Sequence, residues 1–171
     1  MPVMHDDDAA KTLPVSGNID ALHKQIADQE HVSDRSELEQ AGEQFATQRI
    51  LVVEDDLALA SLEANILKTY GFSVVTVNSG ELAISALRRS IPDLVVLDLE
   101  LTGPVSGWDV LQELRVFATI PVLLTTSSTV TVRKYIYNQG ETRETLDHLP
   151  KPYPMQTFLK RVKRMLMVAP Q

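Results

Sequence analysis

From Arg49 onward, short apolar runs and amphipathic stripes alternate in a fixed order, and no other feature constrains the fold so tightly. Ile50 to Val53, Ser73 to Val77, Leu94 to Leu97 and Pro121 to Thr125 are β-branched or leucine runs, and Leu146 to Leu149 is a weaker fifth. Between and after them, apolar side chains recur at helical spacing. The stripes are Leu59, Leu62, Ile66, Leu67 and Tyr70; Leu82, Ala83, Ala86 and Leu87; Val110, Leu111, Leu114 and Phe117; and Met155, Phe158, Leu159, Val162, Met165 and Leu166. Strands apolar on both faces and separated by single helices imply a parallel sheet covered on both sides. The expected architecture is α/β, a doubly wound sheet of five parallel strands. Ser127 to Val132 is rich in β-branched residues where the pattern asks for a fourth helix, so that helix is expected to be short, late or mobile. Asn138 to Thr145 then reads as a polar loop.

The composition changes near Gln48, which divides the chain into an extension over residues 1–48 and a domain over residues 49–171. The extension holds ten acids against Lys11, Lys24 and Arg35, whereas the rest is balanced at thirteen and thirteen, so the net charge of -7 belongs to the extension. Ile19, Leu22 and Ile26 share a helical face, and Ser36 with Glu39 forms a capping box ahead of Leu38, Ala41 and Phe45. Two short amphipathic helices are expected there. Helices this short are marginal alone, so they dock, pair in a homodimer or remain partly disordered.

Several function classes drop out. The chain has no cysteine, which excludes disulfides, a thiol nucleophile and cysteine zinc sites, and its four histidines lack ligand-like spacing. No apolar run reaches the roughly 18 to 20 residues of a membrane span, and the acidic N-terminus lacks the features of a signal peptide. A cytoplasmic location without membrane insertion is expected. An acidic flank beside a neutral body gives no electrostatic footprint for nucleic acid, and Lys160 to Arg164 reads as the solvated face of a helix. No glycine-rich turn follows any strand, which argues against nucleotide binding. His23 lies on an amphipathic stripe but lacks the surroundings of a phosphodonor histidine.

In open parallel sheets, functional groups gather at the carboxyl ends of strands. The first strand ends in Glu54, Asp55 and Asp56, the third in Asp98, the fourth in Thr125, Thr126 and Ser127, and Lys151 follows the fifth. Acids brought together repel unless a cation lies among them, and hard oxygen donors with open positions suit magnesium. Phosphoryl chemistry follows. Asp98 is placed to attack phosphorus, a metal and Lys151 to neutralise developing charge, and Thr126 to hydrogen-bond a phosphoryl oxygen. The structural alternative makes the first three acids helix-capping groups and Asp98 a turn residue. It leaves the recurrence of acids, hydroxyl and lysine on successive strand ends unexplained.

Residues 49 to about 167 resemble a two-component response-regulator receiver domain. The resemblance is carried by Arg49-Ile-Leu-Val-Val-Glu-Asp-Asp56, Pro92-Asp-Leu-Val-Val-Leu-Asp98, Gly107-Trp-Asp-Val-Leu111, Pro121-Val-Leu-Leu-Thr-Thr-Ser127 and Lys151-Pro-Tyr153. It implies a flavodoxin-like sheet of order 2-1-3-4-5, the order for which receivers are a standard example. It further implies Asp98 as phosphoacceptor, Glu54 and Asp55 as metal-site acids with the backbone carbonyl of Glu100, Thr126 as switch hydroxyl and Lys151 as phosphate-binding lysine. The implied cofactor is Mg2+, or Mn2+ in its place. The implied chemistry is that of a phosphoacceptor with intrinsic autophosphorylation and autodephosphorylation rather than a turnover enzyme.

The implied partners are a sensor histidine kinase or histidine phosphotransfer protein and a downstream protein effector. With the chain stopping just beyond the last helix, the expectation is a stand-alone regulator. The departures from the family pattern fall near the switch. His148 stands where receivers place Phe or Tyr, and the loop after Asp98 is one residue longer and lacks the usual proline at Thr102. Two other readings compete. Val96 to Thr102 is superficially similar to haloacid-dehalogenase phosphatases, but Glu100 stands where they carry a second aspartate. A pseudo-receiver that docks partners without regulated phosphorylation is the rival from another class.

Overall fold

The computed structural model describes residues 48–168, and the helices expected around Ile19 and Leu38 lie outside them, as does His23. Among the described residues, strands and helices alternate strictly. The order is β1 (Arg49–Val53), α1 (Leu57–Thr69), β2 (Ser73–Val77), α2 (Gly80–Arg89), β3 (Leu94–Asp98), α3 (Gly107–Phe117), β4 (Val122–Thr126), α4 (Thr129–Gln139), β5 (Leu146–Pro150) and α5 (Met155–Val168). All neighbouring strands pair in parallel, and their order is β2-β1-β3-β4-β5. This is the flavodoxin-like sheet expected from the sequence.

Successive side chains of a strand point to opposite faces, and the core divides accordingly. Leu51, Val53, Val95, Leu97, Val122, Leu124 and Leu146 pack beneath α2, α3 and α4 with Ala83, Leu87, Leu111, Leu114 and Val132. Ile50, Val52, Leu94, Val96, Leu123 and Leu149 pack on the other face, against Leu67 of α1 and Phe158, Val162 and Met165 of α5. Each fully buried leucine or valine contributes roughly 1.5 to 3 kcal/mol. The central strands β3 and β4 are buried along their whole length, so their last residues, Asp98 and Thr126, are carried to the sheet edge on rigid supports.

Local chemistry sets the element ends. Pro121 lacks the N–H a ladder needs, so β4 begins one residue later than the apolar run, while the Pro121 carbonyl still accepts from Val95 N–H at 3.0 Å. Asp56 caps α1, its carboxylate accepting from the N–H groups of Ala58 and Leu59 at 2.9 and 3.1 Å. Of the three acids ending β1, this one does the capping job. Ser106 and Asp109 form a capping box that starts α3.

The fourth helix departs from expectation. It starts late, at Thr129, but runs eleven residues to Gln139 and takes in Asn138 and Gln139 from the stretch read as loop. Packing of Val132, Tyr135 and Ile136 against the core overrides the poor propensity of the β-branched run. Its N-cap residue Ser128 makes no side-chain cap bond, and its C-cap is Gly140 with φ of 66°.

The basic cluster on α5 also does more than face water. Arg161 and Arg164 both pair with the buried carboxylate of Asp147 on β5, Arg161 at 2.5 Å, and Lys163 lies 4.0 Å from the centre of the Tyr70 ring. Among the described residues, no helix is long and apolar enough to cross a membrane.

Candidate functional site

The carboxyl ends of β1, β3 and β4 and the turn after β5 bring Glu54, Asp55, Asp98, Thr126 and Lys151 to one edge of the sheet. Asp98 and Glu54 are each 2% exposed. Lys151 Nζ bridges them, 2.9 Å from Glu54 Oε2 and 3.2 Å from Asp98 Oδ2. The lysine is held there by its backbone, whose N–H donates to the Thr126 carbonyl at 2.8 Å. The other oxygens are also engaged: Glu54 Oε1 accepts from Asp56 N–H at 3.1 Å, and Asp98 Oδ1 from Glu100 N–H at 2.9 Å.

Three carboxylates gather about a single ammonium. Burial pushes the Glu54 carboxyl above its ordinary value, despite the bond from Lys151, and the nearby charge of Asp98 adds to the rise. Burial also works against the charged form of Lys151, but the hydrogen bond to Glu54 and the charges of Asp98 and Glu54 outweigh it and raise its pKa. Asp55 is pulled below the usual carboxylate range by Thr102, whose hydroxyl and N–H donate to Asp55 Oδ2 at 2.7 and 2.8 Å. That N–H exists because Thr102 is not the proline that the sequence resemblance leads one to expect there.

Glu54, Asp55 and Asp98 each offer a carboxylate oxygen within 4.8 Å of the others. All are hard donors, and the excess of negative charge over Lys151 favours a divalent cation, so the donor set fits magnesium. Asp55 Oδ2 already accepts both hydrogen bonds from Thr102.

Thr126, 2% exposed, ends β4, and its hydroxyl accepts from Ser128 N–H at 2.9 Å. The carboxylate of Glu100 reaches the same loop. Its Oε1 accepts from Ser127 N–H at 2.8 Å and lies 3.3 Å from Thr126 Oγ1, and its Oε2 accepts from the Ser127 hydroxyl at 3.0 Å. Burial works to raise the Glu100 carboxyl, but the donors of Ser127 and Thr126 prevail and hold it low. The sequence had pointed only to the backbone carbonyl of this residue.

His148 lies on β5, half-buried, in a groove with Arg133, Ile136, Tyr137, Gly140, Glu141, Arg143 and Asp147. Burial lowers its pKa, Asp147 counters this, and Arg133, Arg161 and Arg143 reinforce it. No hydrogen bond joins its ring to the carboxylate cluster among the described residues.

Besides the Glu100 carboxylate, three features escaped sequence reasoning. Glu63 of α1 is fully buried beneath the site, takes a 2.5 Å bond from the Tyr153 hydroxyl and is pushed up to about 7 by burial. Its only signal was an acid on the apolar side of a helical stripe. Arg115 of α3 donates to Glu141 Oε1 at 2.7 Å and to the carbonyls of Ile120 and Thr145, both at 3.0 Å, clamping the loop before β5. The pair of hydrogen bonds that Thr102 donates to Asp55 was signalled only by the missing proline.

The family model for the response regulator receiver domain matches residues 50–163. The DNA-binding response regulator MtrA of Mycobacterium tuberculosis (strain ATCC 25618 / H37Rv) is 36% identical over 119 residues, which are 70% of this chain and 50% of that protein. The sensory transduction protein RegX3 of Mycolicibacterium smegmatis (strain ATCC 700084 / mc(2)155) is 33% identical over 117 residues, 68% and 50% of the two chains. The chain thus spans about half the length of these curated relatives. Among solved structures, the receiver domain of the hybrid histidine kinase CckA is 30% identical with a TM-score of 0.55, over 69% of this chain and 98% of that one. A two-component response regulator from Clostridium difficile, at 23% identity and a TM-score of 0.62 over 71% and 97% of the chains, shares the fold.

Proposed function

The chain belongs to the response-regulator receiver family, and from that premise we propose that Asp98 accepts a phosphoryl group from a partner's phosphohistidine. The observation that carries the proposal is the buried Asp98 carboxylate, 3.2 Å from Lys151 Nζ and grouped with Glu54 and Asp55, one carboxylate oxygen of each within 4.8 Å of the others. An Asp98 oxygen attacks phosphorus and forms the acyl phosphate. The N–P bond breaks, and the donor imidazole departs with the bonding electrons, neutral because its other nitrogen carries a proton. Lys151 offsets charge on the phosphoryl oxygens, and the Thr126 hydroxyl is the donor that turns to them afterwards. Magnesium, held by Glu54, Asp55, Asp98 and the Glu100 carbonyl, supplies further neutralisation when bound.

The output is protein–protein recognition in the cytoplasm. The phosphate adds a charge of about -1.5 to -2, and the surface that responds is formed by α4, β5 and α5, where His148 lies. MtrA is named as DNA-binding, but only half of its length is matched, and the acid–base balance of residues 49–171 supports no nucleic-acid contact by the receiver.

One observation favours the rival reading of a docking module without regulated phosphorylation. The Ser127 N–H and the Thr126 hydroxyl already face the Glu100 carboxylate. Intact mass after incubation with a small phosphodonor and magnesium separates the two. One added phosphoryl group is expected, absent in Asp98→Asn and with a chelator. If phosphorylated kinase also adds nothing to the folded protein, the docking reading stands.

A further inference from the structure

Glu100 links the two halves of the proposed switch through separate atoms. Its N–H donates to Asp98 Oδ1 at 2.9 Å, while its carboxylate takes the Ser127 N–H at 2.8 Å and the Ser127 hydroxyl at 3.0 Å and faces Thr126 Oγ1 at 3.3 Å. A backbone N–H carries one hydrogen. The Ser127 N–H, committed to Glu100, is free for a phosphoryl oxygen only when that carboxylate leaves.

The helix that follows depends on the same bonds. Ser128, the N-cap of α4, makes no side-chain cap bond, and among the residues of α4 only Val132 is fully buried. Ser127, two residues ahead of α4, is tied to Glu100, and beside that tie the helix start is held by the Ser128 N–H bond to Thr126 Oγ1 at 2.9 Å and by the buried Val132. Glu100 itself is exposed, so its carboxylate has water to move into at little cost.

We propose that Glu100 is a positioning residue whose carboxylate occupies the phosphoryl group's donors in the resting protein. On this view, phosphorylation of Asp98 signals by evicting it, a step that rests on the phosphoacceptor reading above. The incoming phosphate repels Glu100 and offers stronger acceptors, so the hydrogen bonds of Ser127 and Thr126 pass from the carboxylate to the phosphate. Without its carboxylate tie, the entry of α4 is released. The backbone carbonyl of Glu100 takes no part in this exchange and stays available to a metal.

The test uses the full chain and three variants, Glu100→Ala, Glu100→Gln and Glu144→Ala, the last removing an equal charge from an exposed loop position. In metal-free protein, amide exchange of residues 127–132 should rise about fivefold or more in Glu100→Ala, the equivalent of one lost hydrogen bond. It should stay within about twofold of wild type in Glu100→Gln, whose amide oxygen can still accept from Ser127. With magnesium, beryllofluoride, a tetrahedral stand-in for a phosphoryl group, should bind about threefold to tenfold more tightly to Glu100→Ala, and Glu144→Ala should match wild type. Wild-type exchange in Glu100→Ala, or weaker or unchanged beryllofluoride binding there, overturns the eviction proposal while leaving the phosphoacceptor reading intact. If beryllofluoride fails to bind folded, magnesium-loaded wild type, the phosphoacceptor reading falls and this proposal with it.

Discussion

Glu63 shows what one buried side chain does to the whole domain's pH response. Its native pKa of about 7 stands above the 4.5 of an ordinary glutamate because burial penalises the charge, with Glu54 and Asp98 adding repulsion and Tyr153 and Lys151 opposing it. A carboxyl that holds its proton more tightly when folded stabilises the fold fully below about pH 4.5. That contribution disappears as pH rises through about 7. Wild-type stability is therefore expected to fall by up to about 3 kcal/mol between pH 5 and 8 from this group, and Glu63→Gln to flatten the profile. Urea melts at both pH values check it, and parallel profiles for the two proteins would refute the assignment. At the same scale, the site was legible wherever chemistry demanded a residue type at a strand end. Glu54, Asp55 and Asp98 lie together with Lys151 between two of them, and Thr126 ends the neighbouring strand; the roles read for them are the proposal above. What was not legible were hydrogen bonds from side chains to distant loops, such as Thr102 to Asp55 and Glu100 to Ser127, since sequence spacing does not say which way a loop residue turns.

At the level of elements, α3 begins where backbone meets backbone. A Cβ on Gly107 would lie 2.2 Å from the Asp98 carbonyl oxygen and 2.7 Å from Leu99 Cα, and neither atom can yield without moving the end of β3. Gly107→Ala is therefore expected to destabilise by about 2 kcal/mol or more, although the same change in an open helix position gains up to about 1 kcal/mol. Chemical denaturation measures the sign, and a neutral or stabilising result would show that β3 has slack. The strands were readable because burial on both faces writes a continuous apolar run, as in Leu94 to Leu97. The extent of α4 was not, because Ser127 to Val132 disfavours helix locally and only tertiary packing of Val132, Tyr135 and Ile136 decides otherwise.

At the scale of the molecule, both core layers, among the described residues, draw on residues between Ile50 and Leu166. Residues 49–171 are expected to fold without the acidic extension, with a single cooperative thermal transition. A broad, non-cooperative melt of that fragment would make residues 1–48 part of the core. The layout also leaves α4 held unequally at its two ends. Beyond its C-terminus, Glu141 and Thr145 are clamped by Arg115, whereas ahead of its start Ser127 is tied to the exposed Glu100 carboxylate and Ser128 to the Thr126 hydroxyl. Such a helix behaves as a lever with its pivot near Gly140. Over the eleven residues of α4, about 16 Å of helix, a tilt of roughly 10 degrees sweeps the Thr129 end by about 3 Å while barely moving the pivot. If Glu100 is evicted as proposed, a small electrostatic change at Asp98 is geared up to the size of a side chain, at the end of the helix nearest the site.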